Sequence, residues 1–279
     1  MPAVVKPAWL PDGLYQEWLT AFNEAGGVGV PNAANLATEV VRNSPSYDSY
    51  FPGLRREDGS LRYAYNPEAT YYNNIESYKN AVESVGINPD VFNAEYINLI
   101  EGDTSPDEFM QRVNVTYDRL EMGGLNSDIR GWYADNFGIE MTNEGILASI
   151  MSPTIGQAVL DKRLTMAEIG GEAASRNFEI SKAFVDLLEG EGMNRNEADK
   201  LFGSAERMVP VLSALAARHG DVDDDFDIKE YAGAAFLQDA DQQRRMERLM
   251  AQEASVFTGG AQIDYLKARS GGVAGLEVR

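Results

Sequence analysis

Residues 66–86 read NPEATYYNNIESYKNAVESVG, and this stretch decides the fold class. Asn66-Pro67-Glu68 combines a residue typical of the N-cap, a proline at the first helical position and an acid beside the positive end of the helix dipole. Apolar residues then recur at spacings of four and three, namely Tyr71, Ile75, Tyr78, Val82 and Val85. Gly86 ends this pattern. The stretch therefore predicts a long amphipathic helix with one buried face.

The same signals recur on both sides of this helix. Asn88-Pro89-Asp90 predicts another helix start, and Ser105-Pro106-Asp107-Glu108 has the spacing of a capping box. Further along, we predict separate helices over 154–163, 165–189, 195–202 and 206–218, with Pro210 in or near the first turn of the last of these. Alternating runs typical of strands do not occur. The sequence therefore predicts an all-α protein of about ten mostly short helices in an irregular bundle.

The two ends of the chain differ in composition from its middle. We divide the chain into an extended N-terminal arm with two short helices and a connector (1–62), a helical body (63–257) and an extended, Gly-rich C-terminal arm (258–279). The C-terminal arm carries five larger apolar residues: Ile263, Tyr265, Leu266, Val273 and Leu276. They are too few to form a core, yet more apolar than a solvating tail normally is. We therefore predict that the arm docks on a neighbouring subunit.

Composition restricts the chemistry that the chain can perform. It has no cysteine, and His219 is its single histidine, so cysteine-based metal sites and histidine-containing triads are excluded. His219 follows Arg218 near a predicted helix end, where a cation favours the negative end of the dipole. We predict no enzymatic activity and no cofactor.

Charge and hydropathy bear on partners and location. The formal charge is −20, which disfavours direct binding to nucleic acid or to an anionic membrane. No apolar run approaches the roughly 18 residues of a membrane span. The first residues are interrupted by Pro2, Pro7 and Pro11 and lack the apolar core of a signal peptide. We therefore expect synthesis in the cytoplasm and no membrane partner.

An acidic cluster at Gly220–Asp227 is a weak candidate for a cation site. Asp221, Asp223 and Asp225 match the first, third and fifth positions of a calcium-binding loop. Phe226 stands where that loop needs glycine, and Ala232 where it needs glutamate. A solvated acidic loop between helices is the alternative interpretation.

Two other functions stay open at the level of sequence. A peptidoglycan hydrolase would need two converging carboxylates, for which Glu17, Glu24 and Glu68 can be nominated, although each fits a helix surface or a helix start better. An acidic adaptor that binds a basic partner protein would account for the net charge.

Several segments together resemble a family of helical structural proteins in the virions of tailed bacteriophages, over roughly residues 46–279. The segments that carry the resemblance are Tyr71-Tyr72, Ser84–Pro89, Phe92, Leu99–Asp103, Thr104–Val113, Ile146–Leu164, Ala167–Ala174, the final Arg-containing helix and Thr258-Gly259-Gly260.

The resemblance implies a minor tail or head–tail protein with no catalytic residues to carry over. Its expected partners are other virion proteins (tail, portal or neck subunits) and further copies of itself. Its expected location is the virion, with the host cytoplasm as the place of assembly. Tail, neck and head interior all remain compatible with the resemblance.

Overall fold

The computed structural model describes residues 5–121, 126–152, 154–219 and 226–258. Thirteen α-helices and one 3-10 helix lie in this part of the chain. The described residues contain no strand, and one isolated antiparallel bridge joins Arg55 to Leu61. The all-α prediction is confirmed, and the number of helices is a little higher than the expected ten. None of the described helices combines the length and apolar character that a bilayer crossing requires.

The residues group into two compact units. Unit 1 comprises Met1–Gly123 and Tyr133–Leu164, and unit 2 comprises Gly124–Trp132 and Thr165–Arg279. The predicted boundaries at residues 62 and 257 stay predictions. In chain order the helices are α1 (Asp12–Glu24), α2 (Ala33–Arg42), α3 (Tyr47–Tyr50), α4 (Pro67–Ser84), the 3-10 helix (Pro89–Phe92), α5 (Asn93–Glu101), α6 (Pro106–Glu121), α7 (Asn126–Phe137), α8 (Asn143–Ile150), α9 (Gln157–Ala174), α10 (Lys182–Gly190), α11 (Arg195–His219), α12 (Ile228–Ala235) and α13 (Ala240–Thr258).

The core of unit 1 forms around the helix predicted from residues 66–86. Tyr78 on α4 is fully buried, and its ring meets Phe109 on α6 edge-on, with 5.6 Å between ring centroids. Its hydroxyl donates a hydrogen bond to the carbonyl of Thr104, so the polar end of a buried tyrosine is satisfied. The apolar face of α6 also packs inward, because Phe109, Val113, Tyr117 and Leu120 are all buried.

Two predicted helix starts differ in their capping. Asn66 adopts a left-handed conformation (φ 42°, ψ 56°) and its side chain makes no cap hydrogen bond, so its predicted capping role is wrong. At α6, Ser105 Oγ accepts from the Glu108 amide at 3.1 Å, as predicted. The carboxylate of Glu108 does not complete the box, because it pairs with Arg112 one turn further on. The guanidinium of a buried arginine is thus the stronger attraction for this carboxylate.

The predicted boundary between helices 154–163 and 165–189 is wrong. Helix α9 runs without a break through Leu164, which is buried and continues the apolar face. The helix instead ends at Ala174, and the chain turns where Asn177 adopts φ 59°. A new helix, α10, begins after Ser181, whose hydroxyl accepts from the Phe184 amide at 3.3 Å. Asn177 and Ser181 therefore mark the boundary between α9 and α10, which the apolar spacing did not reveal.

Two further predictions are corrected. Helix α11 is one helix of 25 residues rather than two, so Pro210 lies inside it and not in a first turn. The start of α11 is as predicted, since Asn194 and Glu197 exchange both hydrogen bonds of a capping box, at 3.2 and 3.0 Å. Within the predicted connector after residue 46, Tyr47–Tyr50 forms the short helix α3. Tyr47 is fully buried there, so packing rather than propensity stabilises this turn.

Gly170 and Gly171 on α9 allow the helix to approach the residues of α7 that belong to unit 2. A Cβ atom added at Gly171 would lie 2.7 Å from Ile129 Cα and 2.8 Å from its nitrogen. A Cβ atom at Gly170 would lie 2.2 Å from the ring of Trp132. Backbone atoms cannot move aside as a flexible side chain can, so Gly171 is the more restrictive of the two positions.

We expect Gly171→Ala to lower the free energy of unfolding by about 1–3 kcal/mol, because the clash with Ile129 outweighs the better helix propensity of alanine. Gly203→Ala on α11 is the matched control. Its Cβ would come no nearer than 3.8 Å to Arg176, so we expect a gain of about 0.5–1 kcal/mol. Urea unfolding of both variants measures the difference, and equal stabilisation by both would contradict this packing.

Candidate functional site

A buried ion pair joins three helices of unit 1. Arg42, the last residue of α2, donates from Nε to Glu68 Oε1 at 2.7 Å and from Nη2 to Glu68 Oε2 at 2.9 Å. Tyr47 on α3 donates its hydroxyl to Glu68 Oε1 at 2.8 Å. The side chain of Glu68 is only 1% exposed, whereas that of Arg42 is 31% exposed. The bidentate geometry satisfies both oxygens of the carboxylate.

The neighbours of this group set its protonation. Burial alone would raise the pKa of Glu68, but the hydrogen bonds from Arg42 and Tyr47 outweigh it, and the net pKa lies below its ordinary value. The hydrogen bond to Glu68 raises the pKa of Arg42. Burial, followed by the bond to the carboxylate, raises the pKa of Tyr47 far above its ordinary range. Glu68 is therefore a fixed anion, and it has no proton to give as a general acid near neutral pH.

A second buried carboxylate lies in unit 2. Glu172 on α9 accepts from Arg176 at 2.8 Å through Oε2 and from Arg195 at 3.0 Å through Oε1. Its side chain is 4% exposed. Arg176 also pairs with Asp199, so the group ties α9 to the start of α11. Like Glu68, Glu172 has arginine at both oxygens.

These two groups are structural in their chemistry, since each carboxylate is closed off by its own partners. The predicted place of Glu68 at a helix start is confirmed, because it lies in the first turn of α4, and the structure adds that its side chain is buried in an ion pair. Of the other nominated acids, Glu24 is exposed and Glu17 half-exposed, both on α1. Across the described ranges, no group of three or more metal-binding side chains comes together.

The residues nominated from the sequence for binding lie outside the described part of the chain. Asp221, Asp223 and Asp225 fall in the gap between residues 219 and 226, and Ile263, Tyr265, Leu266, Val273 and Leu276 follow residue 258. Both nominations stay predictions. His219 lies in the last turn of α11, as predicted, and its Nε2 is 3.6 Å from Glu253 Oε2 on α13.

Exposed apolar side chains before α1, in the loop between α1 and α2, and on α2 were not foreseen from the sequence. Five of the thirteen exposed large apolar side chains in the described residues lie within 36 positions of one another: Val5, Val28, Val30, Leu36 and Val40. The buried residues of α2 are Ala33, Ala37 and Val41. Leu36 and Val40 lie one helical turn apart from each other, off this buried stripe. The spacing of Leu36 and Val40 is the feature of the sequence from which exposed apolar side chains on α2 could have been predicted.

Part of this surface forms an open pocket of about 310 Å³. Trp18 and Phe22 of α1 form its floor, stacked at 5.0 Å between centroids, and Trp18 Nε1 donates to Thr38 Oγ1 of α2 at 3.3 Å. Val28 and Val30 line the pocket from the loop, with 55% and 45% of their surface exposed. A concave apolar site of this size can hold one or two apolar side chains of a partner.

Glycines give this loop its shape. Gly26, Gly27 and Gly29 have φ of +99°, +63° and +111°, a region that other residues rarely enter. The Gly27 amide donates to the Phe22 carbonyl at 2.9 Å, which ends α1 in the manner of a Schellman motif. Gly27 and Gly29 also line the pocket.

Comparison with models of known families, with curated proteins and with solved structures finds no match to this chain.

We expect Glu68→Gln to lower the free energy of unfolding at pH 7 by up to about 3 kcal/mol, because it leaves Arg42 without its anion. The folded-state pKa of Glu68 is depressed, so its contribution is complete above the ordinary value of 4.5 and is lost as the pH falls through the folded value. The difference in stability between wild type and variant should therefore shrink as the pH is lowered from 7 toward 3.

Urea unfolding at a series of pH values measures this difference. Glu24→Gln, at an exposed position on α1, is the matched control and should change stability by less than about 0.5 kcal/mol. A constant difference between wild type and Glu68→Gln across the series would show that the ionised form of Glu68 does not stabilise the fold.

Proposed function

We propose that this protein is a non-enzymatic structural subunit of a tailed-phage virion, in the tail or in the neck between head and tail. It acts through contacts with other subunits, made by its terminal segments and by the apolar surface of α1 and α2. Its partners are other virion proteins and further copies of itself. The class of protein is inferred from the resemblance of residues 46–279 to virion structural proteins. The mode of action is inferred from the exposed apolar side chains between residues 5 and 40.

The observation that carries the mode of action is the concentration of exposed aliphatic side chains between residues 5 and 40. Exposed apolar groups scattered singly are ordinary, but grouped ones are typical of interaction sites. Here Val5, Val28 and Val30 line one pocket, and Leu36 and Val40 lie on α2, in a chain whose charge otherwise keeps it strongly solvated. A surface of this kind favours a role in assembly.

The buried charges support the non-enzymatic part of the proposal. A glycosidase needs two carboxylates with different protonation states on either side of a substrate. Glu68 and Glu172 instead have both oxygens bound to arginine, in separate units of the chain. Removing either carboxylate would leave a partly buried arginine without its anion, which is expected to destabilise the fold.

We expect antibodies against the recombinant chain to label the tail or neck of the phage particles that encode it, in immunogold electron microscopy. We expect the same recombinant chain to release no fragments from purified peptidoglycan. Cell-wall lysis would favour the hydrolase instead. Absence from purified particles, together with salt-sensitive binding to a basic protein, would favour the acidic adaptor.

A further inference from the structure

Three aromatic rings are stacked in a row along α1. The ring centroids of Tyr15 and Trp18 lie 6.3 Å apart, and those of Trp18 and Phe22 lie 5.0 Å apart. The second and third rings form the floor of the pocket, and the loop between α1 and α2 forms one side. Helical rise places Phe22 about 10 Å further along α1 than Tyr15. The row therefore leads from the first turn of α1 into the pocket.

The segment before α1 follows this row of rings. Lys6 pairs with Asp12, and its Nζ lies over the ring of Tyr15, 5.9 Å from the centroid. Val5, the preceding residue, lines the pocket together with the second and third rings. The chain thus passes the first ring at Lys6 and reaches the other two at Val5. Val4 is therefore bonded to a residue that lines the pocket.

The composition and length of this end of the chain suit the pocket. Residues 1–5 read Met-Pro-Ala-Val-Val and carry no charged side chain. The side chains that line the pocket carry no charge either, and Asn32 adds an amide that makes no cap hydrogen bond to α2. Four extended residues span about 13–14 Å, whereas Trp18 and Phe22 lie about 6 Å apart along the helix axis. Residues 1–4 can therefore extend from Val5 across both rings.

We propose that residues 1–4 occupy the pocket of their own chain and cover the rings of Trp18 and Phe22. The segment continues the course of Lys6 and Val5 along α1, and it buries apolar side chains between the rings and the loop. A partner subunit that binds at the pocket must first displace this segment. That consequence for assembly rests on the proposed function, whereas the contact within the chain does not.

Because the chain has no cysteine, the thiol of a full-length Val28→Cys variant reports on access to the pocket. We expect Ala3→Asp to speed the reaction of this thiol with iodoacetamide about tenfold, because an ionised side chain is costly to bury in an apolar pocket. Ala8→Asp is the matched control and should leave the rate unchanged. Ala8 is exposed, belongs to the same segment and does not line the pocket.

A second control concerns the thiol itself. Val91, a residue of unit 1 that does not line the pocket, is 58% exposed, against 55% for Val28. The Val91→Cys thiol should react with iodoacetamide at one rate in the wild-type, Ala3→Asp and Ala8→Asp chains. Circular dichroism of each variant verifies that the helices are retained.

A disulfide tests the position of the segment directly. Under mild oxidation, we expect Ala3→Cys and Val28→Cys in one chain to close about tenfold faster than Ala3→Cys and Val91→Cys, because residues 1–4 hold the first pair at a high effective concentration. The rate of closure should not depend on protein concentration, since both thiols belong to one chain.

Three results would overturn the proposal. Equal alkylation rates in the Ala3→Asp and Ala8→Asp chains would show that residues 1–4 do not shield the pocket. Equal rates of disulfide closure with Val28→Cys and Val91→Cys would show that the segment does not lie there. Protection of the Val28→Cys thiol that is lost on dilution would assign the pocket to a second copy of the chain.

The immunogold experiment separates these outcomes from the proposed function. A chain that is present in particles but whose pocket is unshielded loses only the contact made by residues 1–4. A chain whose pocket is shielded but that is absent from particles keeps this contact and loses its role as a virion subunit.

Discussion

The cost of burying charge is the constraint on which this structure depends. A carboxylate removed from water must be paired and hydrogen-bonded, or it is protonated or excluded from the interior. Glu68 meets this requirement with Arg42 and Tyr47, which come from two other helices. Glu172 meets it with Arg176, two residues beyond the end of α9, and with Arg195, the first residue of α11. Each group thus links parts of the chain that are separate in the sequence.

This constraint also explains why the acidic excess does not prevent folding. The side chains that carry the charge are mostly exposed, where water and salt screen their repulsion. In the interior, Glu68 and Glu172 are matched locally by arginine, whose planar guanidinium can bind both oxygens of one carboxylate. Charges in the core are therefore stabilised by ion pairing, and charges at the surface by solvation and screening.

The helices were largely predictable because apolar spacing, proline and glycine act locally. The faces of α4 and α6, and the capping box at Asn194, depend only on neighbours within a turn or two. The errors are at Asn66, which does not cap, at the buried Leu164, through which α9 continues, and at Pro210, which lies inside α11. Of the candidate site, only the second apolar stripe on α2 was visible in the sequence; the pairing of Glu68 with Arg42, 26 residues away, was not.

The glycine loop between α1 and α2 has a consequence for the thermodynamics of recognition. One side of the pocket is main chain held at φ values that exclude most other residues, and its floor is a pair of stacked, buried rings. Neither part has many rotamers to lose when a ligand enters. The entropic cost of ordering would then fall almost entirely on the incoming segment, and stiffening that segment would raise affinity without any new contact being made.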